Sequence, residues 1–273
     1  MNLSVITFNC MGLFSFDTLH GFLLSLNITD RVKTIGDHLA KESADIIMLQ
    51  EVHTYFVLRM LKKKLSQYPY VAYQPSWFGA KGGLVIFSKH PLEQVSYINY
   101  KKRGSFFNKS FVTRLIQNGI LTAEIKNTSV SVCNTYLTPN MDYDHSKKNR
   151  FTKFSEAQLR QLAEIGKILT QKGNHVLIGG DFNIDKKGYL YKVFLDLSQA
   201  TDLFAHYNSP TKIQEFYPKN KTVERLDYLF HIGKTKPKEI TTTHLFTEKV
   251  KINNKTTTYL SDHIGLQATL DIA

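Results

Sequence analysis

The sequence predicts an α/β protein in which β-sheets carry helices on their outer faces, all within one domain spanning residues 1–273. Three observations lead there. Short apolar runs bounded by polar residues recur along the chain and read as buried strands. Segments with apolar residues at helical spacing fall between them. No linker, repeat or low-complexity tract interrupts this alternation over the 273 residues. A chain approaching ~300 residues can bury about three quarters of its unfolded surface, so one large core is feasible.

The elements follow in order. Leu3 to Asn9 is a buried strand. Asp30 can cap a helix whose apolar face holds Val32, Ile35 and Leu39. Asp45 to Val52 is a buried-strand pattern ending in polar residues, and Tyr55 to Leu65 is a second helix with Lys62, Lys63 and Lys64 on its wet side. Gly82-Gly83 leads into a strand at Leu84 to Phe87. Gly119 to Ile125 and Val130 to Leu137 are neighbouring strands. Ser155 to Gln171 is a long helix, with Leu162, Ile165 and Leu169 on one face and Gly173 placed to end it. His175 to Gly179 is a strand running into Gly180-Asp181-Phe182-Asn183, and Leu226 to Ile232 is another. From Leu266 to Ile272 apolar and polar residues alternate, the mark of a half-buried strand.

Composition sets further limits. Hydrophobic residues are 42% and charged residues 21%, which excludes a disordered or collagen-like chain. No apolar run reaches the ~18 residues of a spanning helix. Lys and Arg number 35 against 23 Asp and Glu, a net charge of +12. Such a balance suits a polyanion or an anionic surface, without distinguishing nucleic acid from membrane, and solubility alone is the plainer reading. Cys10 and Cys133 sit in apolar strand-like runs and read as small buried hydrophobes, not a disulfide framework. The N-terminus enters a strand at once without the pattern of a signal peptide, so the default expectation is cytoplasmic, a trimmed and secreted mature form being the alternative.

Polar residues with catalytic potential recur at strand ends. Asn9 ends the first strand, Gln50-Glu51 the second, and Asp181 with Asn183 a later one. Asp227 lies within Arg225-Leu226-Asp227-Tyr228-Leu229, and Ser261-Asp262-His263 opens the last strand. Strand ends give functional groups a rigid support. Carboxylate and amide oxygens without thiolate suit a hard cation such as Mg2+. A histidine among carboxylates can serve as general base, and amide donors can stabilise developing charge on phosphorus. The sum is metal-assisted hydrolysis of a phosphate ester, with the substrate left open.

Taken together and in this order, Asn9, Gln50-Glu51, Gly180-Asp181-Phe182-Asn183, Leu226-Asp227-Tyr228 and Ser261-Asp262-His263 resemble the endonuclease/exonuclease/phosphatase superfamily over essentially the whole chain. The resemblance implies a four-layer α/β sandwich of two facing sheets between helices, as in DNase I, with the active site at one end. It also implies Mg2+, with Mn2+ as a substitute. By that resemblance Glu51 is the principal metal ligand with Asn9 beside it, and Asp262 is a further ligand or a supporting carboxylate. Asp181 and Asn183 position the attacking water and the scissile phosphate. His263 is the general base or a phosphate contact, its imidazole oriented by Asp227. One departure stands out. Many members carry a histidine in a Thr-His-Leu element, where this chain reads Asn134-Thr135-Tyr136-Leu137. The Tyr136 phenol can donate a hydrogen bond to a phosphate oxygen but cannot carry a proton charge near neutrality.

Segments away from the chemistry look closer to neutral sphingomyelinases: Asp30-Arg31 with Ile35-Gly36-Asp37-His38-Leu39, Glu42 to Ile46, Gly83 to Leu92, and Thr241-Thr242-Thr243. The expectation is a sphingomyelinase C-type phosphodiesterase working on a phospholipid surface, without a protein partner and as a monomer. The alternative is a Mg2+-dependent endonuclease of DNase or AP-endonuclease type acting on nucleic acid. The +12 charge favours that reading, as does Tyr136, because sphingomyelinases use a histidine there and AP-endonuclease-like members a tyrosine. A phosphomonoesterase and a binding protein on an inactive scaffold are further readings. The basic and aromatic segment Tyr97 to Phe111, and Trp77-Phe78, could meet a lipid headgroup layer, stack on bases, or simply pack.

Overall fold

The computed structural model describes residues 1–12, 27–104, 111–140, 146–171, 175–219, 222–238 and 240–272. The apolar runs form strands buried on both faces. In β1 (Asn2–Asn9), Leu3 and Val5 face one side while Ile6 and Phe8 face the other, and all four are buried. A strand covered on both faces reads as an unbroken apolar run, which is why the sequence lacks alternation here. The helix α1 (Ile28–Glu42) and strand β2 (Ile46–Gln50) follow, then α2 (Tyr55–Lys64), β3 (Tyr70–Ala72), β4 (Val85–Ser88) and β5 (Leu92–Asn99). Next come α3 (Phe111–Ile116), β6 (Gly119–Ile125), β7 (Val130–Tyr136), α4 (Arg150–Gln171), β8 (His175–Asp181) and α5 (Tyr189–Ser198). The chain continues through β9 (Thr201–Asp202), β10 (Asp227–Ile232), β11 (Ile240–Leu245), β12 (Val250–Lys251), β13 (Thr257–Thr258) and β14 (Gly265–Asp271).

Two six-stranded sheets result, ordered β11-β14-β1-β2-β4-β3 and β5-β6-β7-β8-β10-β9. Val5, Met48 and Ile86 of the first meet Leu121, Val132, Leu177 and Leu229 of the second in the central core. The outer face of the first sheet packs on Val32, Ile35 and Leu39 of α1 and Val57, Leu58 and Leu61 of α2. The outer face of the second packs on Leu159 and Leu162 of α4 and Leu190 and Phe194 of α5. This is the expected four-layer sandwich. Within the central layer, a pair of amides links the two sheets. Gln50 Nε2 donates to Asn134 Oδ1 at 2.7 Å, and Asn134 Nδ2 donates to the carbonyls of Leu49 and Val85 at 2.8 and 2.9 Å. Both side chains are fully buried.

Two local expectations need correction. Asp30 is not the cap of α1. The helix starts at Ile28, Asn27 holds the cap position with its side-chain Oδ1 accepting from Asn253 Nδ2 at 3.1 Å, and Asp30 lies in the first turn, 3.7 Å from Lys33. An acidic residue is equally favoured there by the helix dipole, so the composition of the turn did not fix the start. The long helix begins at Arg150, five residues ahead of the Ser155 expected, with Phe151 buried in its first turn. Gly173 and Phe106-Phe107 lie outside the described residues. Cys10 and Cys133 are both free and buried.

Candidate active site

Strand direction gathers the polar residues. β1 and β2 are parallel, pairing Asn9 with Gln50, and β7 and β8 are parallel, pairing Tyr136 with Asp181. β10 runs antiparallel to β8 and starts at the same edge, pairing Asp227 with Asp181. β14 begins two residues after His263, antiparallel to β1. Both sheets therefore deliver their polar ends to one edge of the sandwich. Met11, Glu51 and Asn183 hold positive φ angles of 47°, 62° and 50°. Non-glycine residues in this region cost about 1–3 kcal/mol each and concentrate where function over-determines the backbone.

The side chains interlock. Asn9 Nδ2 donates to Glu51 Oε1 and to Asp181 Oδ2, both at 3.0 Å, while Asn9 Oδ1 accepts from the Met11 N–H. Asn9 thus joins a carboxylate of the first sheet to one of the second. Tyr136 Oη donates to Glu51 Oε1 at 3.1 Å. His263 Nδ1 lies 2.7 Å from Asp227 Oδ2, and its Nε2 lies 3.8 Å from both Asp181 Oδ2 and Asp262 Oδ2. Asn183 Nδ2 donates to the Leu137 carbonyl, and its N–H donates to Asp181 Oδ1. All eight residues expected from sequence meet at this edge.

Sequence reasoning missed two others. Lys212 Nζ donates to Tyr217 Oη at 2.6 Å, and Tyr217 Oη donates to Asp262 Oδ2 at 2.8 Å. A β-bridge between Lys212 and His263 holds the lysine beside the last motif. No local pattern marks either residue, because their place comes from a loop crossing to a strand fifty positions later.

Burial and mutual charge set the protonation landscape. Burial pushes the Glu51 carboxyl up, and Asp262 adds to this. Burial likewise lifts Asp181 to about 7, against the lowering pull of His263. Burial disfavours the His263 imidazolium, but Asp227, Asp262 and Asp181 outweigh it and raise the group to about 9. Burial alone would raise Asp262, yet His263 and Lys212 bring it below its ordinary value. Burial works against the Lys212 ammonium, and Asp262 and Asp181 more than restore it. Replacing Lys212 with methionine should lower phosphodiester turnover about 10- to 100-fold, since one charge-assisted bond chain to Asp262 is lost. Unchanged kinetics in Lys212→Met would show the ammonium to be a bystander.

A divalent cation suits this donor set. The ligands on offer are carboxylate, amide and phenol oxygens with one imidazole, and no thiolate. Glu51 is a half-buried carboxylate whose charge is opposed by partial desolvation, and Asp227 Oδ1 is buried with no hydrogen-bond partner. Asp181, Asp227 and His263 also bring ligand atoms within 4.8 Å of one another. Of those three, Asp227 and His263 are already hydrogen-bonded to each other at 2.7 Å, so the side with Glu51 has more freedom to take an ion.

The model of the Endonuclease/Exonuclease/phosphatase family matches residues 6–263, which takes in every residue of the site, from Asn9 to His263. The chain belongs to that family. Sphingomyelin phosphodiesterase 2 of Rattus norvegicus is 29% identical over 272 residues, covering 90% of this chain and 61% of that protein. The chain therefore spans less than two thirds of that relative. Among solved structures, the crystal structure of SmcL superposes with a TM-score of 0.77 at 20% identity, covering 99% of each chain. A Staphylococcus aureus beta toxin F277A, P278A mutant with bound magnesium ions superposes with a TM-score of 0.71 at 20% identity, over 98% of this chain and 99% of that one. These likenesses agree on the fold of the Endonuclease/Exonuclease/phosphatase family.

Proposed function

We propose that the chain is a Mg2+-dependent phosphodiesterase that cleaves sphingomyelin-type lipids and releases a phosphorylated headgroup. The observation that carries this is the composite edge itself, with Glu51 and Asn9 facing Asp181 and the His263–Asp227 pair across the two sheets. Its likeness to a sphingomyelin phosphodiesterase supports the lipid substrate. Glu51, Asn9 and Asp262 would hold the ion. When bound, it supplies Lewis-acid polarisation of a phosphoryl oxygen. Asp181 and Asn183 position the attacking water against phosphorus. Asp227 fixes one imidazole nitrogen of His263, so that the other faces Asp181 and the reacting phosphate. Tyr136, at the position expected to be histidine, steadies Glu51 by a neutral hydrogen bond and carries no proton charge.

Tyr136 and the net charge of +12 also favour a second reading, in which the substrate is DNA. Sphingomyelin vesicles and plasmid DNA, incubated in parallel with Mg2+ or with EDTA and with Asp181→Ala as the blank, separate the two. Phosphocholine release that EDTA abolishes, with intact plasmid, is the expected result. Nicked plasmid with untouched lipid would replace the lipid reading with the nuclease one. Turnover in EDTA would remove the metal.

A further inference from the structure

The turn between β3 and β4 displays two large aromatic side chains. Trp77 is 95% and Phe78 80% exposed. Such exposure in a floppy loop would mean little, but this turn is firmly built. Pro75 and Ala80 close it with a β-bridge, and the Gly79 carbonyl accepts from both the Ser76 N–H and the Ser76 hydroxyl. It is also braced on the start of α2. The Tyr55 N–H donates to the Phe78 carbonyl at 2.8 Å, and Tyr55 Oη donates to the Ser76 carbonyl at 2.8 Å. Gly79 is wedged so closely that a Cβ there would lie 2.3 Å from the His53 carbonyl oxygen. The backbone is therefore fixed in a form that holds two aromatic rings in water.

The turn stands at the catalytic edge. It is anchored against His53 and Thr54, just beyond Glu51, and its exit passes through Gly83. Gly83 sits at φ +68°, with room for no side chain because a Cβ would lie 2.9 Å from Glu51 Cα, and its carbonyl accepts from the Val52 N–H. Phe56, one residue after the brace, is 52% exposed. It lines a shallow, largely apolar groove with Thr29, Met60, Lys33, Lys63 and Lys64. Lys33 and Lys63 are exposed. Exposed aromatic rings, with lysines beside Phe56, suit the boundary between headgroups and acyl chains, where tryptophan is favoured and lysine meets anionic lipid.

We propose that residues 75–80 form a preformed docking element that seats Trp77 and Phe78 in the headgroup layer of a phospholipid membrane, with Phe56 and the lysines alongside. This rests on the lipid reading above and adds to it the surface that brings the site to its substrate. Because the turn is ordered before contact, docking costs little conformational entropy.

Trp77 is the chain's one tryptophan, so intrinsic fluorescence of the wild-type protein reports on this turn alone. It is titrated with phosphatidylcholine vesicles containing phosphatidylserine and no sphingomyelin. The expected result is a blue shift of the emission and protection from acrylamide quenching. The double variant Trp77→Ser/Phe78→Ser should lose about 10- to 100-fold in vesicle co-sedimentation, given about 1.5–3 kcal/mol for a fully buried large apolar side chain. It should melt like the wild type and turn over a monomeric short-chain sphingomyelin at the wild-type rate. An unshifted emission with sedimenting vesicles, a double variant that sediments like the wild type, or an emission that responds to duplex DNA and not to vesicles would each overturn the docking element. Failure of the lipid reading looks different: no phosphocholine release from any substrate, with the fluorescence shift intact.

Discussion

His263→Ala is expected to lower phosphodiester turnover by roughly 10³- to 10⁴-fold, near the upper range for loss of an acid–base or phosphate-contacting group. The imidazole is held between Asp227 at 2.7 Å and Asp181 at 3.8 Å. Asp227, Asp262 and Asp181 favour its charged form, which with Lys212 offsets part of their negative charge. Alanine removes both the nitrogen proposed to face the phosphate and that compensation, so thermal melting has to accompany the kinetics. His263→Asn, which keeps a donor toward Asp227, serves as the second variant. A folded His263→Asn with near wild-type turnover would take His263 out of the chemistry.

Arg31→Met should destabilise the fold by about 3–5 kcal/mol, roughly a 10 °C fall in melting temperature for a chain of this size. Arg31 is fully buried. Its Nη1 donates to the carbonyls of Cys10 and Leu260 at 2.8 Å, and its Nη2 donates to the carbonyl of Met11. One guanidinium therefore ties α1 to the end of β1 and to the residue before Ser261-Asp262-His263. Methionine fills much of the space but leaves three buried acceptors without a donor. Arg31→Lys should rescue only in part, because a single ammonium cannot reproduce the planar fork. A melting temperature in Arg31→Met within a degree or two of wild type would refute this account.

What was legible in the sequence follows from how each feature is encoded. The buried strands β1, β2, β7 and β8 are apolar runs that end abruptly in Asn9, Gln50, Tyr136 and Asp181, so both the element and its functional end were visible. β5 was not, because its residues are largely exposed or half-exposed and carry no apolar run. β11 is an edge strand of threonines with little burial. α5 mixes Tyr, Leu, Val and Phe in a composition that serves strand as well as helix. Lys212 and Tyr217 escaped notice for a different reason. They acquire meaning only through the bridge that sets Lys212 beside His263.

The paired amides Gln50 and Asn134 have a consequence for how activity is gained and lost. Glu51 and Asn9 belong to one sheet, Asp181 and Asp227 to the other, and the Gln50–Asn134 bond fastens the two directly beneath them. Neither half-sandwich can hold a working site by itself. On the proposed site, activity is therefore expected to return in refolding only once the two sheets have closed on each other.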